Sequence, residues 1–154
     1  MNVGTLGGNG SVSGPVTLAF AAQIAPGDPA IKGGVGTLSI GPLTWTSGAT
    51  MVFQLGATPA ASDQLVIGGA LGKSGAGNFR FHFGMGDRPP VNGQTYTLIQ
   101  STNASAFTAS DFTGNFDFDN TYVALTGIFS INSSAVQFTL TSVQSDRIFA
   151  NSFD

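Results

Sequence analysis

In Asn78–Phe83, which reads NFRFHF, Phe79, Phe81 and Phe83 alternate with Asn78, Arg80 and His82. An extended chain puts the three rings on one side and the three polar groups on the other, whereas a helix would scatter both sets around its circumference. The segment is therefore predicted to be a half-buried strand. The same period of two recurs along the chain. TMVFQL aligns Met51, Phe53 and Leu55, LTW aligns Leu43 and Trp45, and AVQFTL sets Val136, Phe138 and Leu140 against Gln137 and Thr139. No segment carries a convincing helical period. The 22 glycines and the abundant Thr, Val and Phe weaken helices further while suiting corners and pleated surfaces.

The two halves differ in texture. Val3–Leu6, Val16–Phe20, Thr37–Ile40 and Leu65–Ile67 are short apolar runs separated by glycine-rich corners. Strands this short cannot bury a face alone, so they point to a solenoid whose coils stack on one another. Tyr122–Ile131 and the run containing Ala135–Leu140 flank Asn132, Ser133 and Ser134, the pattern of an antiparallel hairpin. The expected fold is all-β: right-handed parallel β-helix coils over residues 1–72, an antiparallel, sandwich-like capping sheet over 73–145, and a tail over 146–154.

An ordered set of short motifs runs through the first hundred residues: GTLGGNGSVSGPVTL, IAPGDPAIKGGVGTLSIGPLTWTSGATMVFQLG, SDQLVIGGALGKSGAGNFRFHF and NGQTYTLIQS. Together they resemble the C-terminal part of an autotransporter-type passenger, the family of autotransporter-associated β-strand repeats, from about Val3 to Gln100. Phe107–Val143 follows the same style more loosely. The resemblance implies the right-handed parallel β-helix, the capping sheet, and a secreted or surface-exposed bacterial protein whose stem supports other regions. It also implies a structural part for the acidic position just before Leu65. One departure is that the few residues after Val143 cannot supply the strands of a membrane barrel, which puts self-transport by this chain in doubt. The ending SDRIFANSFD resembles C-terminal tails of secreted proteins from some gammaproteobacteria. An equally simple reading docks Ile148, Phe149 and Phe153 on the cap.

Charge narrows the partners. Only 8% of residues are charged, Glu is absent, and the five basic residues, Lys32, Lys73, Arg80, Arg88 and Arg147, are scattered. A phosphate backbone needs clustered cations, so nucleic acid is not an expected partner, and a basic membrane-surface helix is excluded as well. No apolar run is long enough for a membrane-spanning helix. With no cysteine there is no disulfide framework and no thiol nucleophile. The start, MNVGTLGGNG, has neither the basic region nor the apolar core of a signal peptide.

Several stretches carry a hint of chemistry. IGGALGKSGAG, Ile67–Gly77, resembles a phosphate loop, but the spacing is one residue short and a turn and strand follow where the phosphate-binding helix should begin. A corner of the solenoid explains its glycines, with Lys73 and Ser74 on the exposed bend. His82 is the only histidine and falls on the polar face beside Arg80, as expected of a surface residue; no Gly-x-Ser-x-Gly elbow supports a triad around it. Asp117 and Asp119 in NFDFDN would share a strand face with Cα atoms about 6 to 7 Å apart. Three readings apply: a solvated face or turn, a calcium site made of Asp117, Asp119 and Asn120 with Asp111 nearby, or a two-carboxylate hydrolase. Neither an EF-hand loop nor the calcium-binding nonapeptide occurs. Asp28 and Asp63 occupy turn positions and read as structural. Tyr96 or Trp45 could stack on a sugar if exposed, although Trp45 shares its face with Leu43 and is expected in the core. Ice binding would need a regular Thr ladder, which the sequence does not display.

The expectation is a non-catalytic extracellular or cell-surface protein, a structural or adhesive stem with its cap. No cofactor is expected, calcium at Asp117, Asp119 and Asn120 being the one candidate. Self-association or upstream β-helix coils would dock on its open N-terminal edge, and surface glycans are further candidate partners. The alternatives are a carbohydrate- or calcium-binding module and a polysaccharide-active β-helix enzyme.

Overall fold

In a computed structural model, which describes residues 4–28, 34–77, 79–86, 88, 90–117 and 122–145, the chain is all-β. It passes repeatedly through three sheets. The first pass contributes β1 (Thr5–Gly8), β2 (Ser11–Val12) and β3 (Val16–Leu18), and the second β4 (Gln23–Pro26), β5 (Thr37–Ile40) and β6 (Leu43–Thr46). The third contributes β7 (Thr50–Leu55), β8 (Gln64–Ile67) and β9 (Leu71–Ser74). After these come β10 (Phe79–Met85), β11 (Thr95–Gln100), β12 (Phe112–Asp117), β13 (Tyr122–Ile131) and β14 (Ala135–Ser145).

Strands of equal rank in each pass are neighbours. One sheet runs β1-β4-β7-β10-β12, a second β13-β14-β11-β8-β5-β2, and a third β3-β6-β9. The first and third sheets are parallel throughout. Parallel neighbours require a crossover rather than a tight turn. Here the crossover is made of the strands that belong to the other two sheets. Among the described strands, antiparallel ladders occur in the second sheet, where β14 lies between β11 and β13, and a single antiparallel bridge joins Gly8 to Gly27. The hairpin expected across Asn132–Ser134 is present: Asn132 Oδ1 accepts from the Ser134 amide at 2.9 Å, and the Asn132 amide donates to Ala135 O at 3.1 Å. Parallel pairing extends beyond position 72, into β10 and β12.

The register explains the core. Ile24, Met51 and Phe81 are partners in successive strands of the first sheet; Leu38, Leu65 and Ile99 are partners in the second, and Leu43 and Leu71 in the third. All are buried. Alternation within each strand sends these side chains inward, and parallel pairing then sets like residue upon like residue. Trp45 follows Leu18 in its column, is fully buried, and donates its indole N–H to Ala49 O at 3.2 Å. Polar partners such as Gln23, Thr50, Arg80 and Thr113 form an outward column on the first sheet.

Aromatic residues concentrate where the parallel strands meet the antiparallel ones. Trp45 meets Phe79 and Phe81 edge-on at 5.4 and 5.3 Å, Phe81 stacks on Phe83 at 5.8 Å, and Phe83 reaches Phe138 at 4.9 Å. Phe107 and Phe112 close the group from below, stacked at 5.4 Å. Each buried ring contributes about 1.5 to 3 kcal/mol from apolar burial alone, which makes this cluster a dense source of stability. Among the described residues no helix is long and apolar enough to cross a membrane.

Candidate functional site

The buried polar groups gather mostly at one corner. Ser62 and Asp63 precede β8, and Gln54 lies near the end of β7; all three are buried. Asp63 is 2% exposed. Its Oδ2 accepts from the Gln54 amide at 2.7 Å and its Oδ1 from the Gly36 amide at 2.8 Å, while its own amide donates to Gln54 O at 2.9 Å. One carboxyl therefore ties the end of β7 to the approach to β5, in the preceding pass. Ser62 Oγ accepts from the Gly56 amide at 2.8 Å and donates to Thr58 O at 2.9 Å. From the following pass, the Tyr96 hydroxyl donates to Gly56 O at 2.7 Å.

Gly27 shows how tightly this corner is built. Its φ of 71° is in the left-handed region, and a Cβ placed there would lie 2.7 Å from Asp63 Oδ1 and 2.8 Å from the Gly36 amide nitrogen. Only glycine fits without displacing the latch.

Burial pushes the Asp63 carboxyl up to about 6, against the two amide bonds, which favour its charged form. A carboxyl titrating near neutrality would suit a general base, yet both oxygens face backbone amides and little of the residue meets solvent. Its chemistry is structural: it supplies acceptors to amides that would otherwise be buried without partners. The sequence reading put Asp63 at a turn; it lies between the short 3-10 turn Pro59–Ala61 and the start of β8. The second amide, on Gly36, comes from another pass of the chain and carries no local signal.

The other sequence candidates fall elsewhere. Asp117 ends β12, where its Cα is opposite Gly84. Asp119 and Asn120 lie outside the described residues, as does the 146–154 tail. Asp111 is engaged in other contacts. It caps the short 3-10 turn Ala109–Asp111, accepting from the Thr108 amide at 2.8 Å, and pairs with Lys73 Nζ at 2.9 Å. Partial burial works against its charge, but the Thr108 amide and the Lys73 ammonium overcome this and hold its pKa below the ordinary carboxylate value. Among the described residues no group of three or more His, Asp or Glu side chains is placed to hold a metal ion.

The glycine-rich Ile67–Gly77 stretch contains no helix. Lys73 and Ser74, read as part of an exposed bend, belong to β9 instead, and the turn comes after them. Lys73 is opposite Trp45 in the ladder and lies over the Phe79 and Phe107 rings at 5.8 and 5.7 Å. Gly75, at φ 88°, makes the turn, where Ser47 Oγ donates to Gly77 O at 2.6 Å. His82 is on β10, in register with Val52 and Asn115.

The two sugar-stacking candidates are both interior, since Tyr96 is 1% exposed and Trp45 is fully buried. The outer face of the second sheet does bring threonines together across strands. Thr95 and Thr139 hydroxyls are 2.8 Å apart, Thr126 and Thr141 3.2 Å, and Gln137 Nε2 donates to Thr97 Oγ1 at 3.2 Å. Thr95–Thr139 and Gln137–Thr97 join segments 40 or more positions apart, whereas Thr126–Thr141 lies across the β13–β14 hairpin, and none was visible as a ladder in the sequence.

Compared with protein-family models and with curated proteins, the chain matches none.

Proposed function

We propose that the protein is a non-catalytic extracellular or bacterial cell-surface component, a structural or adhesive stem built as a right-handed parallel β-helix with a β cap. The observation that supports this best is the cyclic order of strands, three successive passes through the same three sheets in parallel register. Each pass is then one coil. Right-handedness accords with the hand taken by about 98% of parallel crossover connections. Coils that hydrogen-bond only to their neighbours form a stiff rod whose backbone is held by ladders on every side. The autotransporter-type motifs between Val3 and Gln100 support the surface assignment, and the engagement of Asp63 and Asp111 in backbone and ion-pair contacts supports a non-catalytic one.

Two measurements test the reading. Protease shaving of intact cells of the organism that encodes the chain should release it, and retention inside shaved cells would refute the location. Incubation with a panel of soluble and insoluble polysaccharides should give no turnover, whereas released reducing ends would replace a stem with an enzyme. Retention on an insoluble glycan without turnover would sharpen the adhesive role.

A further inference from the structure

Among the described residues no strand covers the N-terminal end of the stack in any of the three sheets. β1, β2 and β3 are each the terminal strand of their sheet at this end, so one side of every strand has no described ladder partner for its amide and carbonyl groups. The core beneath them is only partly covered, with Leu18 on β3 the one inward side chain of the first pass that is buried. Leu6 is the register partner of Ile24, Val12 of Ile40 and Val16 of Leu43, so all three belong to the inward columns. Their partners are buried, whereas Leu6 and Val16 are only half-buried and Val12 is 38% exposed. Phe20, at the neighbouring corner against Gly48, is 59% exposed. An open ladder combined with an open apolar top is a surface that pairs with another.

The opposite end does not match it. In the second sheet the outermost strand there is β13, which runs antiparallel to β14. In the third, β9 already has a neighbour: the Leu71 amide donates to Asn103 O at 2.9 Å, and the Thr102 amide to Gly69 O at 3.0 Å. Among the described strands only β12 offers this end a free parallel edge. Head-to-tail stacking would satisfy one sheet of three.

From these observations we infer that the bare end binds the bare end of a second copy of this chain, forming a closed two-fold dimer rather than a filament. The inference rests on the β-helix reading above. A two-fold axis sets β1 antiparallel to its counterpart and lays Leu6, Val12, Val16 and Phe20 of each copy over the other's exposed core. Charge permits the contact. Residues 4–27 contain no Lys, Arg, Asp, Glu or His, whereas the chain as a whole carries a net charge of −3. Copies that repel through their other surfaces meet no like charge here. An isologous contact uses each bare end once and therefore stops at two chains.

Sedimentation of the full chain over a wide concentration range tests this. The expected result is a reversible monomer–dimer equilibrium with no larger species. Thr5→Lys, on the polar side of β1, and Val12→Lys, at the open top, should each shift the chain to monomer with an unchanged far-UV spectrum. Thr5→Lys keeps the test usable if Val12→Lys impairs folding. Because the chain lacks cysteine, Thr5→Cys supplies a single reporter, and a short bis-maleimide should join two copies through it. Growth beyond two chains, or cross-linking of Thr5→Cys to a Thr113→Cys copy in preference to itself, would overturn the dimer in favour of head-to-tail stacking. A chain that stays monomeric throughout would overturn it and leave the bare end to a coil from elsewhere. Slow amide exchange across β4 to β9 in such a monomer would retain the β-helix reading; rapid exchange there would refute that reading instead.

Discussion

The two ends of the strand stack use the same ladder and bury very different amounts of side chain. At the first pass the inward positions are Leu6, Val12, Val16 and Leu18, aliphatic side chains of which only Leu18 is buried, and no described strand lies above them. By the fourth strand of the first sheet the inward column holds Phe79, Phe81 and Phe83, all fully buried and in contact with Trp45, Phe112, Phe129 or Phe138. A parallel ladder is thus not equally stable along its length. It is anchored where aromatic volume fills the space between the sheets, and it is open to addition where that volume is missing.

The largest expected effect lies at the anchored end. Phe81→Ala removes the ring that meets Trp45, Phe53, Phe83, Phe112 and Phe129 and should cost about 3 to 5 kcal/mol in denaturant-induced unfolding. Leu6→Ala, at the open end, should cost less than half as much; equal losses would break the comparison.

The Asp63 latch comes next, since Asp63→Asn replaces one acceptor oxygen by an NH2 group facing a backbone amide. The loss should be about 1 to 3 kcal/mol, from the one buried amide left without an acceptor. The latch also predicts a pH dependence with a definite sign. The folded-state pKa of about 6 is above the ordinary value of 3.8, so on raising the pH the unfolded chain gives up this proton first. Stability supplied by the protonated carboxyl is complete below about pH 4 and declines as the pH rises toward 6, by about 1.4 kcal/mol per unit at most. Chemical denaturation at pH 4 and 6 should show this decline in the wild type and its absence in Asp63→Asn. A rise in stability across the same window in the wild type alone would contradict the burial that sets the pKa.

A smaller change is expected for Tyr96→Phe, which removes the 2.7 Å bond to Gly56 O while keeping the ring, at about 0.5 to 1.5 kcal/mol. The smallest belongs to the partly exposed Lys73–Asp111 pair, with Lys73 26% exposed. Lys73→Met retains the aliphatic stem over Phe79 and Phe107, removes the charge, and should cost less than about 1 kcal/mol, less still in high salt. A larger loss would make this pair a second anchor for the 102–111 segment beside β9.

How far the site could be read from sequence depends on the range of each interaction. The inward facing of Phe79, Phe81 and Phe83, the burial of Trp45 and the hairpin around Asn132–Ser134 all follow from neighbours a few positions away. Lys73 was misplaced on a bend because its glycine-rich surroundings weigh more locally than its pairing with Trp45 from the preceding pass. Asp111 entered one of three readings of the Asp117–Asn120 stretch as a further calcium ligand, and its contact with Lys73 spans 38 positions. The Thr95–Thr139 pair, 44 positions apart, was missed for the same reason.

By itself, then, the sequence determined the state of the backbone and the side to which each residue faces, because a period of two is enforced by bond geometry within a single strand. Which strands become neighbours was decided only in the tertiary structure. The alignment of Ile24, Met51 and Phe81 in one column, the reach of Asp63 to the Gly36 amide, and the contrast between a bare and an aromatic end all depend on register between segments a full pass apart. That register is set by the joint packing of three sheets around one core, where shifting any one strand by a residue would turn its apolar side outward.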